Sequence, residues 1–226
     1  MRCPICNSSV RRNSNNTYKP LLTIKDVFCP FCYNTGQYYI PPQPKIEHMN
    51  VLVACECSGI VRDAFIRRGH NAISCDLQPT EVSGPHYQGD IRDILYSQKW
   101  DLLIAHPPCT HLAGSGAAWF YYKKQLQIEA LEFVQMFLDA PVDRICIENP
   151  VGIISTRLEK PTQIIEPFHF GEGISKATCL WLKGLPPLKA TCVLPFYREL
   201  EHVMHTAKDK SRTFKGIAEA MANQWG

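Results

Sequence analysis

The chain has 226 residues, of which 45% are hydrophobic and 20% charged. That is enough apolar material for a core and too little charge for a disordered chain, and the length suits one ordinary domain plus a small extra one. The apolar runs fall far short of the ~18 residues of a membrane span, and the start, MRCPICNSSVRRN, lacks the apolar stretch of a secretory signal. The expectation is a cytoplasmic protein whose 11 cysteines are metal-bound, catalytic or buried, not a disulfide scaffold.

The formal charge of +3 hides an asymmetry. Residues 1–45 carry Arg2, Arg11, Arg12, Lys19, Lys25 and Lys45 against Asp26, a net +5, while eighteen basic and twenty acidic residues leave the rest at −2. A basic segment on a near-neutral body suits a polyanionic partner. Within it, Cys3-Pro4-Ile5-Cys6 and Cys29-Pro30-Phe31-Cys32 form two C-x2-C turns. Each turn presents two thiolates, and two such turns complete a tetrahedral zinc site. The expectation for residues 1–40 is a zinc ribbon held by Cys3, Cys6, Cys29 and Cys32, with metal supplying most of the folding energy of so small a segment. An iron site and a redox pair share the pattern. Arg11, Arg12, Lys19 and Lys25, with Tyr18 and Phe28 nearby, suit a nucleic-acid backbone and unstacked bases. A docking ribbon for protein is the alternative. Proline-rich residues 41–48 read as a stiff linker, and residues 49–226 as a second domain.

That body alternates short apolar runs with helical patterns. Asn50–Ala54 is a buried-type strand. Ser58 is placed to cap a helix running to Arg68, with Ile60, Val61, Ala64 and Phe65 inward and Gly69 as the stop. Asn71–Cys75 is a second strand ending at Asp76. A short third strand lies near His86–Gly89, before Asp90, and Asp101–Ala105 is the fourth. Residues 124–138 repeat Leu126, Ala130, Phe133, Val134, Phe137 and Leu138 at helical spacing. Arg144–Ile147 is a fifth strand, ending at Glu148. This alternation predicts an α/β, Rossmann-like fold, a parallel sheet with helices on its faces. Residues 166–183 read as a hairpin around Gly171-Glu172-Gly173, and 214–224 as a terminal helix.

Ligands of such sheets sit beyond the carboxyl ends of the strands. Here those ends carry Glu56-Cys57-Ser58-Gly59, Asp76, Asp90, His106-Pro107-Pro108-Cys109 and Glu148-Asn149-Pro150 in turn. The first three suit an adenosine cofactor: Gly59 allows close backbone approach, Asp76 is placed for ribose hydroxyls, and Asp90 for an adenine amino group. A single glycine in Cys55–Gly59 is no G-x-G-x-x-G, which argues against NAD. The last two ends suit catalysis. Prolines set φ and lack a backbone donor, so Pro107-Pro108 directs the Cys109 thiol. A thiolate beside Glu148 suits covalent addition to a ring that the acid polarises; a buried, inert Cys109 is the alternative. Arg157, after the Glu148 turn, reads either as a phosphate contact or as a surface charge. Cys55, Cys57, Cys75, Cys146, Cys179 and Cys192 read as core.

In that order, residues 49–226 resemble the cytosine-C5 DNA methyltransferases, most of all the compact versions found in phages and prophages. Val51–Gly59 resembles that family's first cofactor loop, Gly89-Asp90-Ile91 its adenine-binding G-D-I, Pro108-Cys109 its nucleophile motif and Glu148-Asn149 its cytosine-engaging pair. Lys176 stands where the family brings an Arg to the base, and Arg212-Thr213-Phe214-Lys215-Gly216 resembles its closing segment. The resemblance implies an S-adenosylmethionine-dependent methyltransferase sheet acting on duplex or single-stranded DNA in a bacterial or phage-infected cytoplasm. It makes Cys109, Glu148, Pro108 and Asn149 catalytic. Glu56, Ser58, Gly59, Asp76, Asp90 and Pro107 fall to the cofactor, and Lys176 and Arg157 to the substrate. The first loop departs from the family, with Cys55 and Glu56 replacing its Phe and second glycine. Only about 27 residues (185–211) stand where its target-recognition domain lies. A non-catalytic nucleic-acid-binding protein and an enzyme on nucleotides or RNA are the alternatives.

Overall fold

The structure is a computed structural model that describes residues 10–12, 18–20, 48–199 and 212–226. The chain divides into two units, Met1–Ile46 and Glu47–Gly226. In the first unit, β1 (Val10–Arg12) and β2 (Tyr18–Pro20) pair antiparallel, a hairpin lying in sequence between the two C-x2-C turns. The four cysteines assigned to zinc lie outside the described residues.

The second unit is an α/β structure. Its elements run β3 (Asn50–Ala54), α1 (Ile60–Arg67), β4 (Asn71–Asp76), β5 (His86–Gln88), α2 (Arg92–Leu95), β6 (Leu102–Ala105), α3 (Lys124–Leu138), β7 (Ile145–Pro150), α4 (Ile154–Arg157), β8 (Gln163–Ile165), β9 (Ile174–Ser175), β10 (Thr178–Lys183), β11 (Arg198–Glu199) and α5 (Lys215–Trp225). Seven strands form a mixed, mostly parallel sheet in the order β5-β4-β3-β6-β7-β10-β8. Counted one to seven in chain order, that is 3-2-1-4-5-7-6. It is the doubly wound order with one strand, β10, antiparallel to both its neighbours, and it is compatible with a Rossmann-like arrangement. No described helix is long and apolar enough to cross a membrane.

Alternate residues of each central strand supply two cores, because side chains leave a strand on opposite faces. Val51, Val53, Leu102, Ile104, Cys146 and Leu180 pack with Val61, Ala64 and Phe65 of α1 and Ile217, Met221 and Trp225 of α5. Leu52, Ala54, Leu103, Ala105, Ile147 and Trp181 pack with Leu95, Val134 and Phe137 from the other side. Helices on both faces explain why β3 and β6 are near-continuous apolar runs.

Two local expectations are corrected. The hairpin around 171–173 is wider than expected: its arms are β8 and β10, which pair antiparallel on either side of residues 166–177. Thr178, Cys179, Leu180 and Trp181 are buried, so β10 is an interior strand. It takes β7 and β8 as partners, while β9 pairs parallel with β11. The first helix also starts later than expected. Gly59 is its N-cap, at φ 73. The acceptor for the first turn is chiefly Glu56, whose carboxylate receives the Val61 N–H at 2.7 Å and the Arg62 N–H at 3.2 Å. Ser58 Oγ takes only the Ile60 N–H, at 3.3 Å.

Arg62 anchors the loop after β4. It is fully buried and donates to Asp63, Ser74, Thr80 and the carbonyls of Val82, Ser83 and Pro85. A Cβ at Gly59 would lie 2.4 Å from Arg62 Nη2, so the glycine makes room for the guanidinium. Arg62→Leu removes all of these bonds from a fully buried cation at once and leaves the buried Ser74 hydroxyl without that donor; hydrogen bonds to a charged group are worth roughly 1.5–3 kcal/mol each. The expected loss is about 3 kcal/mol or more, read as a lower denaturant midpoint at unchanged m-value.

Candidate active site

The carboxyl ends of β3, β4, β6 and β7 converge on a cavity of about 290 Å³. Its lining includes Cys55, Glu56, Cys57, Ser58, Asp76, His106, Pro107, Pro108, Cys109, Glu148, Asn149, Lys176, Arg212 and Thr213. A second cavity of about 250 Å³ shares Cys55, Asp76 and Pro108 with it and is also lined by Gly89, Asp90, Ile91, Arg92 and Phe133. The reversal of strand order between β3 and β6 creates this crevice, as doubly wound sheets do.

The catalytic candidates are brought together. Glu148 Oε2 pairs with His106 Nδ1 at 2.8 Å, and both side chains are about nine-tenths buried. Thr213 Oγ1 stands 3.4 Å from the same nitrogen. His106 Nε2 is buried with no partner among the described residues. Burial opposes charge on both groups, yet their mutual hydrogen bond and attraction prevail: His106 lies above its ordinary pKa and Glu148 below its own. Asn149 is buried, and its Nδ2 donates to Pro107 O at 2.7 Å. It ties the end of β7 to the Pro-Pro-Cys turn.

Burial pushes the Cys109 thiol up; Lys176 pulls it down, and Glu148 adds to the rise. The net direction is up. Lys176→Met therefore moves alkylation of Cys109 by iodoacetamide to higher pH. About tenfold less thiolate remains at neutral pH for each unit of rise, measured by mass spectrometry of the Cys109 peptide.

The cofactor candidates divide. Asp76 borders both cavities and Asp90 the second. Asp76 Oδ1 accepts the Gln78 N–H at 2.8 Å, and Asp90 pairs with Arg92 at 2.9 Å. Ser58 and Pro107 line the first cavity, whereas Pro108 borders both. Glu56 also lines the first, but its carboxylate is taken up by α1 and by Ser58 Oγ at 3.1 Å. Gly59 borders neither cavity and serves the packing of Arg62. Arg157 does not line the Cys109 cavity; it borders a separate groove with Tyr121 and Lys124.

Six cysteines were expected in the core, and three of them, Cys75, Cys146 and Cys179, are buried there. Cys55 and Cys57 line the cavity instead, and Cys192 is exposed. Cys55 has φ 59, a left-handed backbone that non-glycine residues rarely adopt and that clusters at functional sites. Its thiol is driven upward by burial and by Asp76.

The sequence places His106 at a strand end and Arg212 and Thr213 in the segment that resembles the family's closing return to the cofactor, but singles out none of the three as a site residue. Arg212 reaches the site by pairing with Glu81 at 2.8 Å, a contact 131 residues apart that no local pattern announces.

No family model matches this chain, and no curated protein matches it.

Proposed function

We propose that the chain transfers a methyl group from S-adenosylmethionine to C5 of cytosine in DNA through a covalent Cys109 adduct. The observation that carries this is a thiol, a buried imidazole–carboxylate pair and a lysine in one cavity, which shares Asp76 with a second cavity. The second cavity fits an adenosine moiety: Asp76 and Asp90 offer carboxylates, and Ile91, Leu77 and Phe133 an apolar wall. When bound, the cofactor supplies an electrophilic methyl group to C5.

The remaining chemistry falls to the chain. Cys109, as thiolate, adds to C6 of the base. The His106–Glu148 pair gives one proton to N3, so the electron pair released by addition rests on C5. Methylated C5 then loses its proton to a base, the C6–S bond breaks, and N3 returns its proton to the pair. Lys176 holds negative charge in the cavity and favours the thiolate. Pro107-Pro108 and the Asn149–Pro107 hydrogen bond fix the thiol direction, which lowers the entropic part of the barrier. A cytosine within a duplex must leave the stack to reach Cys109.

Incubation of the full chain with isotope-labelled S-adenosylmethionine and DNA, RNA or dCMP, followed by nucleoside mass spectrometry, tests the proposal. The expected product is 5-methylcytosine in DNA. Absence of any methylated product together with absence of cofactor retention overturns it. Binding of DNA without methyl transfer identifies a non-catalytic nucleic-acid-binding protein.

A further inference from the structure

Resting on that reading of the Cys109 cavity, we infer that the groove bearing Tyr121, Lys124 and Arg157 is a subsite for the nucleotide next to the target base, so the substrate is a polynucleotide and not a free nucleotide.

The groove has a volume of about 450 Å³ and is formed by Tyr121, Lys124, Gln127, Ile128, Leu131, Ile153 and Arg157. It is built from the continuations of the two segments that carry Cys109 and Glu148. Leu112 N donates to Cys109 O, and Ile153 N to Leu112 O, each at 2.9 Å. Gly114 N donates to Val151 O at 2.9 Å, and Ala113 bridges Gly152. The strands of the site thus hand over directly to the groove: a 3-10 helix, Gly114–Lys123, leads to Tyr121, and α4 leads to Arg157. The groove floor is two backbone hydrogen bonds from Cys109. Lys124 opens a helix that follows β6, which places it at the carboxyl end of the sheet, the side where ligands of this topology sit.

Its chemistry matches one nucleotide. Tyr121 and Tyr122 are 74% and 79% exposed, large aromatic faces left in solvent. Lys124 Nζ lies 5.1 Å from the Tyr121 ring centroid, so cation and ring are presented together. Two cations and no acid line the groove, which favours a phosphate. Gln127 adds a side-chain nitrogen with no hydrogen-bond partner among the described residues. Stacking on an aromatic ring beside a backbone-tracking cation is how strands are held without sequence preference. A free mononucleotide has no neighbouring residue to place in this groove; a polymer has one.

The test uses the full chain and a fluorescein-labelled single-stranded oligonucleotide containing cytosine, with anisotropy read at several salt concentrations. Tyr121→Ala is expected to weaken binding by about 5–100-fold. The double variant Lys124→Gln with Arg157→Gln is expected to reduce the salt slope by about 0.7 for each lost phosphate contact. Melting temperatures equal to wild type show that these exposed substitutions leave the fold intact. Unchanged affinity and salt slope in both variants overturn the inference even where wild type methylates DNA. Methylation of dCMP as fast as of the oligonucleotide overturns it as well. Groove-dependent oligonucleotide binding by a chain that transfers no methyl group supports the subsite while overturning the proposed reaction.

Discussion

Cys109→Ala is expected to lower methyl transfer by roughly 10³-fold or more, with oligonucleotide and cofactor binding close to wild type. The asymmetry follows from where the thiol sits. Cys109 lies on a turn held by two prolines and by the Asn149 amide, and its backbone carbonyl accepts the Leu112 and Ala113 N–H groups at 2.9 Å. None of those contacts uses the sulfur, so alanine leaves the turn in place. What disappears is the bond to C6, without which C5 of cytosine carries too little electron density to be methylated. A base with fluorine at C5 separates the steps. Addition and methylation proceed, but no C5 proton exists to be removed, so the protein stays bonded to the base. Wild type is expected to give an adduct stable on a denaturing gel, and Cys109→Ala none. Equal methyl transfer by the two proteins removes the covalent mechanism. Loss of DNA binding in the variant assigns Cys109 to the architecture of the turn instead.

The parts of the fold set by local periodicity were legible in the sequence. β3 and α3 fall on their expected spans, and β4, β6 and α5 within a residue at either end, because β3 and β6 are continuous apolar runs and α3 repeats at helical spacing. The strand ends also announced the site, since polar residues after buried strands have nowhere to go but the crevice. What was not legible depends on long-range pairing. β10 is half of the expected hairpin, with β8 as the other arm, but nothing in Thr178–Lys183 states that β7 flanks it on the other side. Glu56 illustrates a second limit. A carboxylate in the first loop looks the same whether it faces a ligand or caps a helix, and only the N–H groups of Val61 and Arg62 decide. Arg62 is a third case. A charged residue on a surface helix is ordinarily solvated, whereas this one is fully enclosed by its own loop. Cys55 and Cys57 sit in an apolar-looking run yet line the cavity, because the chain turns out of the sheet at Cys55.

Glu148→Gln is expected to reduce kcat by roughly 10²–10⁴-fold, and His106→Asn to change the pH dependence as well as the rate. In wild type the mutual hydrogen bond and charge hold the imidazole above its ordinary pKa and the carboxyl below, against the opposing effect of burial. The pair therefore keeps one proton until the pH passes the raised pKa of His106. The reacting form needs that proton on the pair and none on Cys109, whose own pKa burial raises above the ordinary thiol range. The thiolate fraction grows with pH throughout the range below that value. The protonated pair is full up to the imidazole pKa and declines beyond it. Their product climbs with pH as far as the His106 pKa and is level from there until the thiol itself ionises. His106→Asn removes the group that holds the proton highest and leaves it to the carboxyl alone, beside Lys176. The rate is then expected to level off at a lower pH and on a lower plateau, with cofactor binding and the KM for the nucleic acid little changed. Glutamine at 148 accepts and donates in place but cannot supply the proton, so its profile follows the Cys109 thiolate with no levelling at the imidazole pKa. A kcat profile identical to wild type in His106→Asn removes the pair from the reaction and leaves Glu148 acting by itself. Chemical shifts of the His106 ring nitrogens followed against pH give the same answer without turnover. Their midpoint is expected to fall on Glu148→Gln, and a midpoint that does not move disconnects the two groups.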